Sequence, residues 1–240
     1  FVVFLYSKIS GSSYTYHLQD IHPEVGNTVI KLNPILFVFF KKIDNLVIRN
    51  ASSIITINET MKNEIIARSK TKCKIHLVDN PAASIIGITQ DKITGFVFSG
   101  NAGRLQRIPL LLKSINKYKE QGGVLPFLFI GTGVYSDEIY MLSNKYKDIK
   151  YKGLVDTNTA NDLISRYEWA LLPIEDEITK YAFPSKTSSY VSCGSNILSI
   201  CSDQTCVAKW VVNNNFGINI LPKVDDLVDV FFKIENGLSI

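Results

Sequence analysis

Short apolar runs alternate with amphipathic segments of helical length through the second half of the chain. Each run has the length and composition of a buried strand, and the segments between runs repeat apolar positions at helical spacing. The predicted strands are 95–99, 125–130, 149–155, 169–174, 197–200 and 217–221. Strands separated by helices predict βαβ units, so we expect an α/β fold with a parallel sheet and right-handed crossovers.

The first half shows the same alternation over a shorter length. We predict a buried strand at 1–6, a helix at 34–49, a strand at 51–57 with a helix capped by Asn58 after it, and another strand at 72–78. Residues 79–83 are rich in turn formers and only weakly periodic. This change predicts a boundary between two domains, 1–82 and 83–240.

A polar stretch with a short helix, 183–194, lies between two predicted buried strands. Its Pro and Ser are suited to start the helix, and Gly194 is suited to end it. Backbone N–H groups at such a start, with Ser185 and Lys186 beside them, predict a binding site for an anion such as a phosphate. The alternative is structural, with Ser185 as a helix cap and Lys186 as a solvated charge.

Two further loops carry candidate chemistry. After the strand at 95–99, Gly100 and Gly103 allow a close backbone approach to a bound group and Arg104 supplies charge, although the dinucleotide fingerprint is not met. Segment 20–24 places Asp20, His22 and a second acid around a proline. It is suited either to acid–base chemistry or to a helix N-terminus that Asp20 caps, and its spacing does not separate these alternatives.

Composition narrows the classes of function. The chain has 46% hydrophobic and 20% charged residues with a net charge of +4, and no dense basic run interleaved with aromatics, so a nucleic-acid binder is not indicated. Four cysteines without close pairing and three histidines suggest neither a zinc site nor a disulfide framework. The apolar run 34–40 ends in two lysines and fits a core helix or a contact with a membrane surface.

These segments together carry a family resemblance. Segment 20–24, Asp-Ile-His-Pro-Glu, resembles the Asp-Leu-Trp-Pro-Glu motif of family-four glycosyltransferases, in the branch that builds bacterial surface polysaccharides such as capsule. Segments 53–58 and 99–104 resemble the strand and the donor-domain loop that follow in that family, and 184–190 resembles its Pro-Ser-Lys-Leu-Tyr-Glu-Tyr segment. The matches keep the family's order over nearly the whole chain.

The resemblance implies a GT-B fold of two Rossmann-like domains. Residues 1–82 would be the last part of the N-terminal, acceptor-side domain, and 83–240 the complete C-terminal domain that binds the donor nucleotide. Because the chain begins at Phe1, directly in an apolar run, we expect that an N-terminal part is missing.

The resemblance further implies a retaining, metal-independent transfer from a nucleotide-diphosphate sugar to a polysaccharide or lipid-linked glycan. The donor would contact Gly100, Gly103, Arg104, Leu154, Val155, Ser185, Lys186 and Ser189, while Asp20 and His22 would reach the acceptor or the donor sugar. No cofactor is expected. Such a protein would be cytoplasmic, at or near the inner face of the membrane.

Two positions depart from the family pattern. The family has glutamates where this chain has Ser189 and Tyr181, and a serine hydroxyl does not replace a carboxylate that grips two ribose hydroxyls. Glu175, Asp176 and Glu177 lie nearby and could substitute in part. The departures leave open a non-catalytic nucleotide- or sugar-binding module of the same fold, and a weaker alternative is an epimerase of this architecture.

Overall fold

The computed structural model describes residues 1–80 and 91–237 of the chain. These residues group into two compact units. The first contains Phe1–Asn80 together with Glu177–Pro184, and the second contains the described residues 91–176 and 185–237. The predicted domain boundary between residues 82 and 83 lies outside the described residues. The return of 177–184 to the first unit is a feature for which we made no prediction.

The first unit contains a three-stranded parallel sheet in the order β1-β2-β3. Residue Tyr16 pairs with Ile54, which in turn pairs with Ile75. The elements of this unit are α1 (Val2–Ser10), β1 (Thr15–His17), α2 (Glu24–Val29), α3 (Pro34–Asn50), β2 (Ser53–Thr56), α4 (Glu59–Ser69) and β3 (Lys74–Leu77).

The prediction of a strand at 1–6 is wrong, because these residues open helix α1. Only Phe4 of this helix is buried, and Gly11 follows it with φ 71°, the left-handed conformation that commonly ends a helix. A short apolar run does not by itself distinguish a strand from a helix. The signal that does so here is the glycine at the end of the helix.

Local capping explains why α3 and α4 begin where the sequence predicts. The Asn33 side chain accepts a hydrogen bond from Ile35 N, and Pro34 occupies the first helical position, where its missing N–H is harmless. The Asn58 side chain accepts from Met61 N at the start of α4. Both helices and the strand β2 between them are confirmed.

The second unit is built on a six-stranded parallel sheet in the order β6-β5-β4-β7-β8-β9. Its strands are β4 (Ile93–Ser99), β5 (Phe127–Ile130), β6 (Ile149–Tyr151), β7 (Tyr167–Pro173), β8 (Asn196–Ile200) and β9 (Gly217–Ile220). Its helices are α5 (Ile108–Glu120), α6 (Ser136–Lys145), α7 (Thr157–Ser165), α8 (Lys186–Ser192), α9 (Cys206–Asn213) and α10 (Val224–Glu235). The alternation of strands and helices predicted from the sequence is therefore confirmed.

An aromatic cluster forms the core on one face of this sheet. Phe96 and Phe127, on neighbouring strands, stack with their ring centroids 4.9 Å apart. Phe231 of α10 packs 4.8 Å from Phe96, and Tyr118 of α5 packs 5.5 Å from Phe231. All four residues are fully buried, so the core anchors both helices to the middle of the sheet.

The strand order contains one reversal of direction. From β4 the chain moves outward to β5 and β6, and it then returns to place β7 on the other side of β4. Loops that leave β4 and β7 therefore run in opposite directions at the carboxyl ends of these strands. A crevice at such a point is the usual ligand site of an open parallel sheet.

None of the helices in the described ranges combines the length and the apolar character that crossing a bilayer requires.

Candidate functional site

A cavity of about 440 Å³ lies at the carboxyl ends of β4, β5 and β6. The loop after β4 contributes Gly100 and the loop after β5 contributes Gly131. Leu154 and Val155, which follow β6, line a further part of the wall. Leu154 is 80% exposed, so its side chain is accessible to a ligand. The remaining lining residues are Ser99, Asn101, Ile130, Thr132, Gly133 and Ala160.

The glycines let the loops after β4 and β5 meet backbone to backbone. A Cβ at Gly131 would lie 2.1 Å from the carbonyl oxygen of Gly100, and Gly131 has φ 110°. A Cβ at Gly133 would lie 2.4 Å from the carbonyl of Ala102. Gly100 N donates to Ile130 O at 2.9 Å and Ala102 N to Thr132 O at 3.0 Å. Only glycine fits at both positions, and main-chain atoms of the two loops therefore form part of the cavity wall.

Lys186 lies beside the same loop. Its Nζ donates a hydrogen bond to the Gln106 side-chain oxygen at 2.8 Å and stands 4.2 Å from the centroid of the Phe98 ring. A Cβ at Gly100 would come within 3.2 Å of both Cε and Nζ, so Gly100 leaves the space that the lysine uses. Burial lowers the pKa of Lys186 to about 7. Each of these partners is neutral.

Lys186 is the first residue of α8, and a buried tyrosine of the same helix, Tyr190, fixes the helix against the sheet. Tyr190 is fully buried, and its hydroxyl accepts from Ser99 N at 3.0 Å while a carbonyl of Ser99 or Leu171 lies at 3.2 Å to accept in turn. Burial raises the pKa of Tyr190, which keeps the hydroxyl protonated. These bonds tie α8 to β4 and β7.

Ser185 and Ser189 are the other two residues that we predicted for the donor site at α8. Ser185 is at the N-cap position but makes no side-chain capping bond, so the capping alternative is wrong. Ser185 is exposed and Ser189 is half-buried.

The loop after β4 contains two arginines with different surroundings. Arg104, which the sequence favoured, is exposed and forms no ion pair with any described residue. Arg107 donates from Nε to Ile174 O at 2.8 Å, and its guanidinium lies 3.0 Å from Glu175 and 3.1 Å from Asp176. Arg107 therefore joins the loops after β4 and β7 and engages two of the acids that could have substituted for the missing glutamates.

The predicted donor residues are thus brought together in part. Gly100, Leu154 and Val155 line the cavity, and Lys186 lies against Gly100. Gly103 instead lies against the Asn101 side chain, whose atoms are 3.2 Å from the position of a Cβ at Gly103. Arg104, Ser185 and Ser189 are not among the lining residues.

Asp20 and His22 lie in the first unit, where both are exposed. Asp20 forms a single β-bridge with Ala182, and the neighbouring Ile21 N donates to Tyr181 O at 2.8 Å. His22 lines an apolar cavity of about 300 Å³ beside α3. Helix α2 has no side-chain cap, so the alternative in which Asp20 caps it is wrong.

Glu24, the second acid of this segment, belongs to a buried charge cluster. It is 4% exposed and pairs with Arg68 at 2.5 Å and with Lys41 at 2.9 Å. Arg68 also contacts Asp44 and donates to His22 O at 2.8 Å. Burial lowers the pKa of Arg68, and Glu24 acts in the opposite direction. The cluster connects α2, α3 and α4 and engages the Glu24 carboxylate in ion pairs.

The sequence analysis missed Gln106, Arg107, Tyr190 and Gly131. For Gly131, the glycine pair after a buried strand was the available signal. Tyr190 carried a weaker one, since a buried aromatic with a hydroxyl needs a hydrogen-bond partner. Gln106 had none, because its partner is 80 positions away in the chain.

No protein-family model matches the chain. It is similar to the "Probable glycosyltransferase WbjE" of Pseudomonas aeruginosa, with 22% identity over 229 residues that cover 88% of this chain and 57% of the relative. The chain thus spans little more than half the length of this curated relative.

Two solved structures have the same fold over almost all of this chain. WaaG, a glycosyltransferase involved in lipopolysaccharide biosynthesis, has a TM-score of 0.70 at 10% identity over 98% of this chain and 72% of its own. A mutant of Staphylococcus aureus TarM in complex with fondaparinux, α-GlcNAc-glycerol and UDP has a TM-score of 0.65 at 15% identity over 93% of this chain and 44% of its own. The predicted resemblance to GT-B glycosyltransferases and the predicted fold of parallel sheets flanked by helices are confirmed.

Proposed function

We propose that this chain forms part of a glycosyltransferase that moves a sugar from a nucleotide-diphosphate sugar to a glycan acceptor. The observation that carries the proposal is Lys186, a partly buried cation with neutral partners beside a cavity walled by glycines. The similarity to a glycosyltransferase, and the UDP bound by a protein of the same fold, support the class of donor.

The chemistry of sugar transfer explains why such a lysine is useful. As the bond to the sugar breaks, negative charge grows on the diphosphate that leaves. An ammonium group already in place stabilises this charge more strongly in the transition state than in the ground state. Because burial lowers the pKa of Lys186 to about 7, a bound diphosphate would also draw a proton onto it.

The remaining donor contacts are part of the proposal, and of these residues Gly100, Leu154 and Val155 line the cavity. Main-chain groups at Gly100 and Gly103 serve the diphosphate or the sugar, and Leu154 and Val155 meet the base. Ser185 and Ser189 on α8 and the exposed Arg104 complete the proposed set. With cationic side chains at the diphosphate the transfer would need no metal, and retention of anomeric configuration is part of the proposal.

In the first unit, Asp20 and His22 are the residues we assign to the acceptor or to the donor sugar. Both side chains are exposed and are therefore accessible to a substrate. Glu24 does not belong to this set, since it is engaged by Arg68 and Lys41.

The acceptor we propose is a bacterial surface polysaccharide or its lipid-linked precursor, handled at the cytoplasmic face of the membrane. In support, α1 and α3 expose apolar side chains, including Ile9 at 88% and Ile35 at 78%, and carry the lysines Lys8 and Lys42. Apolar residues beside lysines suit an anionic lipid surface. Sedimentation with anionic vesicles is expected, and Ile35→Asp should weaken it. Equal recovery with neutral vesicles would contradict this part.

A second candidate is a non-catalytic module that binds the nucleotide or the sugar. One departure from the resembled family favours it: α8 carries Ser189 where that family has the glutamate that grips ribose. Glu175 and Asp176, which could have substituted, are paired with Arg107.

The two candidates separate in one experiment. The full-length protein is incubated with a panel of sugar nucleotides, and transfer, hydrolysis and binding are measured. We expect turnover of at least one donor and a loss of about 100-fold in Lys186→Ala. Binding without turnover favours the module, and an absence of binding to every member of the panel would overturn both candidates.

A further inference from the structure

Gln106 is the polar side chain that holds the Lys186 ammonium in place. Its amide oxygen lies 2.8 Å from Nζ. Nζ also lies 4.2 Å from the centroid of the Phe98 ring, and the missing side chain of Gly100 leaves space for the lysine. An amide oxygen accepts a hydrogen bond without carrying charge. The ammonium is therefore oriented but not neutralised.

The backbone on both sides of Gln106 is anchored. Gln106 N donates to Gly103 O at 3.1 Å, which closes the turn. On one side Leu105 O accepts from Glu175 N at 3.0 Å, and on the other Arg107 Nε donates to Ile174 O at 2.8 Å. Gln106 is thus attached to the segment that follows β7, and its amide is a fixed reference point for the lysine.

We propose that Gln106 is a positioning residue of the donor site, whose neutral amide aims the Lys186 ammonium at the diphosphate of the sugar nucleotide and leaves its charge for that group. This inference rests on the proposed function. A carboxylate at position 106 would hold the lysine equally well but would neutralise it, as Glu24 and Asp44 neutralise Arg68 in the first unit.

The loop that carries Gln106 also carries two arginines. On the same loop, Arg104 is exposed and Arg107 is paired with Glu175 and Asp176. Burial is the cause that lowers the Lys186 pKa to about 7. A new carboxylate at position 106 should therefore dominate the titration of this lysine.

The first test needs no ligand. The Lys186 ammonium is titrated by NMR in the full chain labelled with ¹⁵N-lysine, and its signal is assigned with Lys186→Met. Gln106→Glu should raise the Lys186 pKa by about one unit or more, and Gln106→Met, which has similar length but only a weakly accepting sulfur, should lower it. If Lys186 had the same pKa in both variants as in the wild type, the positioning role would be overturned, whether or not a nucleotide binds.

The second test uses UDP-glucose, ADP-glucose and GDP-mannose as probes, because their esterified diphosphates do not titrate near neutral pH. Wild-type affinity should fall as the pH rises through about 7, where Lys186 loses its proton. Gln106→Met should bind about tenfold more weakly. Gln106→Glu should bind still more weakly, with its decline displaced to higher pH because the lysine then stays charged.

The outcomes of the two tests are distinct. If the wild type binds none of the probes, the proposed function fails, and the donor role of Gln106 fails with it. If the wild type binds and Gln106→Glu binds equally well with the same pH profile, only the role of Gln106 is overturned.

Discussion

Arg68 in the first unit and Lys186 in the second unit are two cations with opposite surroundings. In the first unit Arg68 is 2% exposed and lies between the carboxylates of Glu24 and Asp44. In the second unit Lys186 lies between an amide, an aromatic ring and a glycine. The positive charge of Arg68 is compensated by two carboxylates, whereas the hydrogen-bond partner of Lys186 is a neutral amide.

The difference separates a structural charge from one that is available to a ligand. A buried ion pair connects elements, and removing one member leaves the other charge without compensation. A buried ammonium with neutral partners weakens the fold that holds it, since burial opposes its charge. We infer that such a group is kept for an anion, and the predictions that follow test this contrast.

The largest effect is expected for Arg68→Met. The variant leaves Glu24 and Asp44 in a buried site without the guanidinium, and we expect the first unit to lose about 3–5 kcal/mol of stability. Both tryptophans, Trp169 and Trp210, belong to the second unit. Hydrogen exchange of amides in α4 therefore reports the loss, while tryptophan fluorescence should change little.

A matched control is the exposed pair of Arg166 and Asp162, whose side chains are 54% and 53% exposed. Arg166→Met should change the free energy of unfolding by no more than about 0.5 kcal/mol. An equally small change in Arg68→Met would contradict the assignment of that cluster as structural.

A smaller effect is expected for Gly100→Ala. Gly100 has φ 126°, which an alanine adopts only with strain of about 1–2 kcal/mol, and the added methyl group would press on Lys186. Gly122→Ala is the control, since Gly122 has φ 94° but open space around its Cα. Denaturation followed by tryptophan fluorescence should show comparable losses in both. Only Gly100→Ala should shift the Lys186 titration, and an equal shift in Gly122→Ala would show that strain alone is responsible.

The smallest change in stability is expected for Lys186→Met, and it has the opposite sign. Because the folded-state pKa lies near 7, below the ordinary lysine value, the folded chain releases this proton more readily than the unfolded chain. Wild-type stability therefore rises with pH from about 7 to 10 as far as this group is concerned. We expect Lys186→Met to match or exceed the wild type in stability at pH 6–7 and to lose this advantage as the pH rises to 10.

Denaturant unfolding of the two chains at several pH values measures this difference. If Lys186→Met were strongly destabilised at pH 6, comparably to Arg68→Met, the lysine would be a structural charge and the contrast between the units would fail.

Much of the fold could be predicted from local sequence. The second-unit strands are continuous apolar runs because both faces of a central parallel strand are buried, and helix starts at Asn33 and Asn58 follow from side chains that bond to the backbone nearby. The error at 1–6 has the same local origin, since a short apolar run fits either regular structure.

The composition of the site depends on contacts between distant parts of the chain. The sequence by itself determined that a lysine follows a buried strand at 186 and that glycines follow β4 and β5. Only the tertiary structure decided that Lys186 is half-buried at the cavity edge while Arg104 is exposed, and that Gln106 is the hydrogen-bond partner of Lys186. The physical reason is that local sequence controls backbone conformation, whereas the partner and the protonation of a side chain depend on groups that the topology brings within a few ångströms.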